Sequence, residues 1–266
     1  MDGWRLRARL LVRPMLGIVL HHIIWSIGSV YEECATLSLQ RVLAIIPAYN
    51  EEESLQQTVE ELGVVAPDVD FVVVNDGSTD DTRGICIRNG YPMLDMPVNC
   101  GLTVGFQTGM KYALRCGYDF AVQFDADGQH RPEYIKYMLD CMRKNDADIV
   151  IGSRFVTGKK EHSARMMGSR LISSLIKMTT ASTIKDPTSG MRLYNHAMIK
   201  RFAQDDALNP EPESIAYLVR KGAKVCEVQV SMRERQAGES YLNITKSVAY
   251  MVRAFTSIMF VQWFRR

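Results

Sequence analysis

Two aspartates, Asp125 and Asp127, follow the apolar run FAVQF at residues 120–124 and are separated by one alanine. Carboxylates this close repel each other unless a cation lies between them. Magnesium and manganese prefer oxygen ligands and commonly bind one or two carboxylates together with substrate phosphates. Gln129 adds a neutral oxygen to this set. The spacing therefore predicts that Asp125, Asp127 and Gln129 bind Mg²⁺ or Mn²⁺; a solvated acidic turn is the alternative.

Other apolar segments also end in residues that could bind a ligand. PAYNEEE follows the first at 47–53, NDGSTDD follows the second at 75–81, and GSRF ends another at 152–155. In open α/β sheets, ligands bind beyond the carboxyl ends of the strands. Asp76 can accept the imide hydrogen of a uracil or the ring hydrogens of a guanine, and Tyr49 offers a face to the base. The alternative for NDGS is an Asx-type turn.

The elements that position these residues form an alternating pattern. Short β-branched runs (42–46, 71–75, 120–124 and 148–152) alternate with predicted helices (51–63, 80–89 and 132–144). Nearly continuous apolar strands between helices predict an α/β fold, a three-layer α/β/α sandwich with a mostly parallel central sheet. Further along, the sequence predicts a helical stretch, a turn-rich loop, another helix and a strand, at about 164–181, 185–192, 211–222 and 225–230.

Composition excludes several classes of protein. The 266 residues include 32 basic and 30 acidic residues, so no nucleic-acid partner is expected. The six cysteines form no CxxC pair, which predicts free thiols in a reducing compartment. GxGxxG is absent after the first strand and GxxxxGK is absent throughout, which excludes the dinucleotide fingerprint and the phosphate loop.

The two ends of the chain are predicted to lie outside a catalytic domain at 41–242. Residues 1–40 are interpreted as an extension, although Pro14 to Tyr31 contains no Asp, Glu, Lys or Arg and could instead be an interfacial anchor or a membrane span. Residues 243–266 are predicted to form an amphipathic helix. With its basic residues, this helix could contact an anionic membrane surface, and ordinary packing on the domain is the alternative.

Seven segments between Arg41 and Tyr241 carry a resemblance to a known family. In order they are IIPAYNEEES, VVNDGSTDDT, NCGLTVGFQTG, FDADGQHRPE, IGSRF, KDPTSGMRLYN and RERQAGES. Together they resemble family-two glycosyltransferases of the GT-A fold, in the branch that contains dolichyl-phosphate mannose synthase and its bacterial polyprenyl-phosphate relatives. Tyr241 stands where the mannose synthases usually have lysine, and EPES at 211–214 looks more like bacterial cell-envelope members. The sugar and the lipid therefore stay open.

The resemblance implies a role for each matching residue. Those implied to hold the nucleoside are Pro47, Tyr49, Glu51 and Asp76. Asp125, Asp127 and Gln129 would bind the divalent ion that bridges the diphosphate. Arg154 and Arg165 would meet the acceptor phosphate, and Arg235 would meet the donor diphosphate.

The activity that follows is an inverting, metal-dependent transfer from a UDP- or GDP-linked sugar to a polyprenyl phosphate in cell-envelope glycan synthesis. Such an enzyme would work in the cytoplasm, peripherally on the membrane. Charge on the leaving diphosphate would be stabilised by the ion at Asp127 and by Arg235.

Two other functions stay open. A transferase with a sugar-hydroxyl acceptor would need a general base, for which Asp186 is the first candidate and Glu213 the second. A non-catalytic nucleotide-sugar binder would need Asp76 but not both metal aspartates. A positioning or capping role is predicted for His130, which lies at a helix start.

Overall fold

The computed structural model describes residues 40–156, 164–233 and 252–261. Within them, seven strands form one sheet in the order β3-β2-β1-β4-β6-β5-β7. The strands are β1 (Val42–Ala48), β2 (Val69–Asn75), β3 (Met93–Asp95), β4 (Phe120–Gln123), β5 (Ile149–Ser153), β6 (Arg192–Asn195) and β7 (Val225–Gln229). The helices are α1 (Leu55–Val65), α2 (Thr82–Asn89), α3 (Leu102–Arg115), α4 (Tyr134–Asn145), α5 (Ala164–Thr180), α6 (His196–Gln204) and α7 (Pro212–Arg220).

Both faces of the sheet are covered, as the continuous apolar strands predict. Alternate residues of β1 enter different cores: Leu43 and Ile45 pack on one side, and Val42, Ala44 and Ile46 pack on the other. The first core contains side chains of α3, α5, α6 and α7, and the second contains side chains of α1, α2 and α4. The predicted three-layer α/β/α sandwich is therefore confirmed.

One strand departs from the parallel arrangement. β6 pairs antiparallel with both β4 and β5, while the other described pairings are parallel. The sheet is thus mostly parallel, as predicted, but β6 begins at Arg192, the last residue of the predicted loop. β3 and α6 were not predicted. β3 has three residues, and α6 directly follows β6, where the Asn195 side chain caps it by accepting a hydrogen bond from the Met198 amide at 2.9 Å.

Helix starts lie later than the sequence pattern indicates. The segment predicted as a helix from residue 51 becomes helical at Leu55, because the Glu51 amide donates to Thr82 Oγ1 at 2.9 Å and holds the preceding turn. The helices predicted from residues 80 and 132 begin at Thr82 and Tyr134. These shifts of two to four residues leave the polar segments after the strands as loops.

The C-terminal segment is described over residues 252–261 and ends in a π-helical turn, Ser257–Val261. Ala254 and Ile258 are buried there, while Val252, Phe255 and Phe260 are exposed. No helix in the described ranges is long and apolar enough to cross a membrane. The predictions for residues 1–39 and for most of 243–266 fall outside the described residues.

Cysteines are free thiols wherever the structure describes them, at positions 86, 100, 116, 141 and 226. Burial raises the pKa of Cys86 to about 11, so this thiol is not a nucleophile at neutral pH.

Candidate active site

The polar segments meet at one edge of the sheet. β1, β2 and β4 are parallel to one another, and β5 runs in the same direction because β4 and β5 both oppose β6. Their carboxyl ends therefore share an edge, which is where open α/β sheets bind ligands.

Asn50 joins the loops that follow β1 and β2. Its amide donates to Ser78 Oγ at 3.0 Å, and its side-chain oxygen accepts a hydrogen bond from the Thr79 amide at 2.8 Å. Tyr49, beside it, remains exposed, and Pro47 lies in β1 opposite Val74. This arrangement leaves the ring of Tyr49 available to a ligand at the rim.

Glu51 lies in the same pair of loops and is partly buried. Its Oε2 accepts a hydrogen bond from Ser54 Oγ at 2.9 Å, and its amide is fixed by Thr82. The predicted contact of Glu51 with a nucleoside would therefore be made by a side chain that is already held in place.

Asp76 also binds the backbone before α3, a role that was not predicted from the sequence. Its two carboxylate oxygens accept hydrogen bonds from the amides of Cys100 and Gly101, each at 2.8 Å. Those amides immediately precede α3, so Asp76 fixes the start of this helix. Each oxygen keeps a further lone pair, so the predicted contact with a base is compatible with this role.

Gly77, in the loop after β2, allows this loop to approach the 98–101 segment that precedes α3. Its φ is +65°, and a Cβ there would lie 2.4 Å from the backbone carbon of Val98. A residue with a side chain would be strained in this conformation and would also push the 98–101 segment away.

Asp125 and Asp127 lie in the turn after β4. Asp127 Oδ1 accepts a hydrogen bond from the Gln129 amide at 3.1 Å, and Asp125 Oδ1 accepts one from Gln123 Nε2 at 3.3 Å. Asp125 is partly exposed and Asp127 is buried. Thr58 of α1 anchors the turn by donating to the carbonyl of Ala126 at 3.0 Å.

His130 holds Asp125 at two points. Its Nδ1 accepts a hydrogen bond from the Asp125 amide at 3.0 Å, and its Nε2 lies 3.6 Å from Asp125 Oδ2. The ring is buried and meets Phe124 edge-on at 5.6 Å. This geometry supports the positioning role predicted for His130, although the residue it positions is the first aspartate.

Gly190 also packs against Asp125. A Cβ at Gly190 would lie 2.9 Å from Asp125 Oδ2 and 3.5 Å from the His130 ring. The contact links the DPTSG segment to the acid pair, which the sequence did not predict because the two lie far apart along the chain.

Gly190→Ala should therefore displace the Asp125 carboxylate. We expect the Kd for a nucleoside diphosphate in Mn²⁺ to rise about tenfold, or about 1.4 kcal/mol, near the low end of overpacking costs. Isothermal titration calorimetry would measure the change. Gly63→Ala, in α1 where nothing lies within 4 Å of the added Cβ, is the matched control and should leave this Kd unaltered. Equal Kd values for the two variants would contradict the assignment.

Arg154 and Asp186 form the most buried ion pair at this edge. Nε and Nη2 of Arg154 donate to the two oxygens of Asp186 at 2.7 and 2.8 Å, and the Arg154 amide donates to Oδ2 at 3.1 Å. Asp186 is 0% exposed. Burial by itself raises the pKa of Asp186, but the hydrogen bonds and charge of Arg154 outweigh it and hold this pKa below its usual value.

This environment does not favour the role predicted for Asp186 as a general base. A base works best with a pKa near the working pH and with an oxygen open to the substrate. Asp186 has a depressed pKa, and Thr188 Oγ1 adds a further hydrogen bond to Oδ1 at 3.2 Å.

Glu213, the second candidate base, lies in the first turn of α7 and is largely buried. Asn209 Nδ2 donates to its Oε1 at 3.2 Å, and Arg253 Nη2 of the C-terminal segment lies 3.7 Å from the same oxygen. An acidic residue in the first turn of a helix interacts favourably with the backbone dipole. The contacts thus favour a structural role.

Arg192 and Glu227 are two residues that sequence reasoning missed. Arg192 is buried, and its Nη1 and Nη2 donate to the carbonyls of Pro210 and Pro187 at 2.8 and 2.7 Å. Glu227 accepts the amides of Lys185 and Asp186, both at 2.8 Å. The available signal was a charged residue at a position within a strand, next to apolar neighbours.

The side chains of two arginines predicted to bind phosphate, Arg165 and Arg235, lie outside the described residues. Arg165 lies in the first turn of α5, but its side chain is outside the description, as is the whole of Arg235. Arg233, which begins the RERQAGES segment, is placed: its amide donates to the Gln129 carbonyl at 3.0 Å, and its guanidinium pairs with both oxygens of Glu61. The segment therefore starts beside the acid pair.

The acid pair suits a hard divalent cation that shares its ligands with a substrate. It supplies two carboxylates, and no group of three or more His, Cys, Asp or Glu side chains arranged to hold a metal occurs among the residues described. Magnesium commonly uses one or two carboxylates with water and substrate phosphates, which is the set that Asp125 and Asp127 can contribute to.

Comparison with known sequences gives a consistent family. Glycosyl transferase family 2 matches residues 43–202. The undecaprenyl-phosphate mannosyltransferase of Micrococcus luteus is 35% identical over 219 residues, which cover 76% of this chain and 88% of that protein. The polyprenol monophosphomannose synthase of Mycolicibacterium smegmatis is 29% identical over 220 residues, which cover 77% and 82%.

Solved structures agree on the fold. A glucosyl-3-phosphoglycerate synthase from Mycobacterium tuberculosis, in complex with Mn²⁺, UDP-glucose and phosphoglyceric acid, superposes with a TM-score of 0.62 at 14% identity, covering 83% of this chain and 79% of that one. The same enzyme with Mg²⁺ and UDP gives a TM-score of 0.61 at 17% identity, covering 82% and 79%. At such identities the likeness shows the fold alone.

Proposed function

Because the chain belongs to glycosyl transferase family 2, in its polyprenyl-phosphate branch, and is a glycosyltransferase of the GT-A fold, we propose that it transfers a sugar from a nucleoside diphosphate sugar to a polyprenyl phosphate. Mannose is the first sugar to test, since the relatives at 35% and 29% identity are a mannosyltransferase and a phosphomannose synthase.

One observation carries the proposal. The segment 186–190 contacts both halves of the site: Asp186 at one end holds Arg154, and Gly190 at the other end packs against Asp125. An acid pair suited to a cation-bound diphosphate and an arginine suited to a second phosphate thus lie on either side of one short loop. A transferase that joins a donor diphosphate to an acceptor phosphate needs these two sites side by side.

On this proposal, the reaction is a single displacement with inversion at the anomeric carbon. The acceptor phosphate oxygen forms the new bond as the bond to the leaving nucleoside diphosphate breaks. A Mg²⁺ or Mn²⁺ ion held by Asp125, Asp127 and Gln129 would supply positive charge where the leaving group becomes negative. Tyr49, Glu51 and Asp76 would hold the nucleoside, and Arg235 would contact the diphosphate.

The acceptor decides whether a base is needed. A lipid phosphate is already an anion, so its oxygen can attack without losing a proton, whereas a sugar hydroxyl must be deprotonated. Asp186 is buried in an ion pair and Glu213 is held near a helix start, and these contacts do not favour either residue as a base. The proposal of a phosphate acceptor removes the need for one, and the acceptor would bring the enzyme to the membrane surface from the cytoplasmic side.

The experiment that tests this function is a panel of donors and acceptors with the purified full-length chain. We expect release of nucleoside diphosphate and formation of a lipid-linked sugar with undecaprenyl phosphate, and no transfer to oligosaccharides. Activity should require Mn²⁺ or Mg²⁺ and should be lost in EDTA. Transfer to oligosaccharides in preference to the lipid would replace the proposal with the polysaccharide-transferase alternative.

A further inference from the structure

Both the backbone and the side chain of Arg154 are held by hydrogen bonds. Its amide, Nε and Nη2 all donate to Asp186, and its carbonyl accepts a hydrogen bond from Gln229 Nε2 at 3.1 Å. Backbone and side chain are therefore both fixed. The side chain nevertheless remains 26% exposed.

A second carboxylate fixes the loop that carries Asp186. Glu227 lies in β7 opposite Ile151 of β5, two residues before the register pair of Ser153 and Gln229. Its two oxygens accept the amides of Lys185 and Asp186, both at 2.8 Å. β7 thus supplies Glu227 to hold the loop and Gln229 to hold the Arg154 backbone.

Nη1 is the guanidinium nitrogen that these contacts leave available to a ligand. Nε and Nη2 point to Asp186, and Nη2 also lies 3.3 Å from Thr188 Oγ1, whereas Nη1 has no hydrogen-bond partner in the part of the chain that the structure describes. A guanidinium offers five N–H donors in a rigid fork. Fixing one edge of the fork leaves the Nη1 hydrogens in a defined direction.

From these contacts we propose that Asp186 and Glu227 are positioning residues, which aim Nη1 of Arg154 at the phosphate of the acceptor. The inference rests on the proposed function, since it assumes a phosphate acceptor. Asp186 acts through Arg154 and does not touch the reacting atoms. It fixes the direction in which the acceptor phosphate must approach.

The Arg154–Asp186 pair carries no net charge when both groups are ionised. Asp186 offsets the charge of Arg154, so the arginine contributes directed hydrogen bonds more than net charge. A lysine at this position would keep the charge but lose the fork, because it has one nitrogen to share between Asp186 and the phosphate. Arg154→Lys should therefore be nearly as harmful as Arg154→Ala.

Steady-state kinetics of Asp186→Asn with undecaprenyl phosphate would test the inference. We expect the acceptor KM to rise about 10- to 100-fold, the range for a lost charge-assisted hydrogen bond. The donor KM and kcat at saturating acceptor should stay within about threefold of the parent, because the donor site is separate. A fall in kcat at unchanged acceptor KM would instead indicate that Asp186 is the base and would overturn the inference.

Two further variants keep the test decisive if Asp186→Asn folds poorly. Glu227→Gln keeps the side-chain volume at a partly exposed site and should raise the acceptor KM by a smaller factor. In an Arg154→Lys background, Asp186→Asn should add little, because both changes disrupt one aimed group. Independent, multiplying effects on the acceptor KM would overturn the proposal.

The controls separate this inference from the proposed function. Asp146→Asn removes the carboxylate of an exposed pair with Lys224 and should leave all kinetic constants unchanged. If the parent chain fails to use undecaprenyl phosphate, the proposed function fails and the inference fails with it. If the parent uses it while Asp186→Asn and Glu227→Gln bind it equally well, the function stands and only the positioning role is wrong.

Discussion

Asp125→Asn and Asp127→Asn should each lower the rate of sugar transfer by about 10²- to 10³-fold, the typical loss when one group that stabilises transition-state charge is removed. Each change removes a negative charge from the turn after β4 while preserving the shape of the side chain. The hydrogen bonds that order the turn, from the Gln129 amide and from Thr58 to Ala126, can still form. The loss should therefore come from weaker cation and diphosphate binding and not from unfolding.

The measurement is a set of transfer rates across a Mn²⁺ titration, together with the Kd of the nucleoside diphosphate at each metal concentration. Both aspartate variants should need more Mn²⁺ for half-maximal rate. Asp140→Asn is the matched control, since this carboxylate is exposed on α4 and lies 3.8 Å from Arg143. Parental rates for Asp127→Asn in the presence of EDTA would refute the assignment of the acid pair.

Gly109→Ala should destabilise the protein by about 1–3 kcal/mol, the usual cost of an inserted carbon in a packed core. Gly109 lies in α3, and a Cβ there would lie 2.3 Å from Cγ2 of Ile45 in β1. Ile45 is fully buried and β-branched, so its side chain has few ways to move aside. Helix α3 would have to move away from the sheet. This movement would also strain the hydrogen bonds of Asp76 to the start of α3.

Urea denaturation of the two glycine variants would measure this effect. Gly63→Ala makes the same chemical change in α1, where nothing lies within 4 Å of the added carbon. That control should stabilise the protein by about 0.5–1 kcal/mol, because alanine has the higher helix propensity. Equal midpoints for the two variants would show that α3 does not pack on β1 as closely as described.

The fold could be predicted largely from local pattern. Runs such as VLAII at 42–46 are buried on both faces, so their composition alone indicates a covered, parallel sheet. β6 could not be predicted in this way. Its four residues lie between β4 and β5, although both of those strands come much earlier in the chain. They include Arg192, whose guanidinium donates hydrogen bonds to the carbonyls of Pro210 and Pro187.

Site residues that belong to one short segment could be predicted from the sequence. Contacts between distant segments could not. Asp125 and Asp127 are two positions apart in the sequence, and their place directly after a buried strand is enough to suggest their chemistry. The role of Asp186 depends on Arg154, 32 positions earlier, and on Glu227, 41 positions later. Nothing in the local sequence around Asp186 indicates that its carboxylate is already occupied.

The antiparallel strand β6 also sets a length scale. Because it is inserted between β4 and β5, the ends of those two strands are two strand spacings apart, about 9.5 Å. In a single displacement the attacking and leaving oxygens lie on opposite faces of one carbon and are closer together than this spacing, so the two strand ends would hold the outer parts of the acceptor phosphate and the donor diphosphate. The inserted strand would thus keep two anionic groups apart and reduce their mutual repulsion while the sugar passes between them.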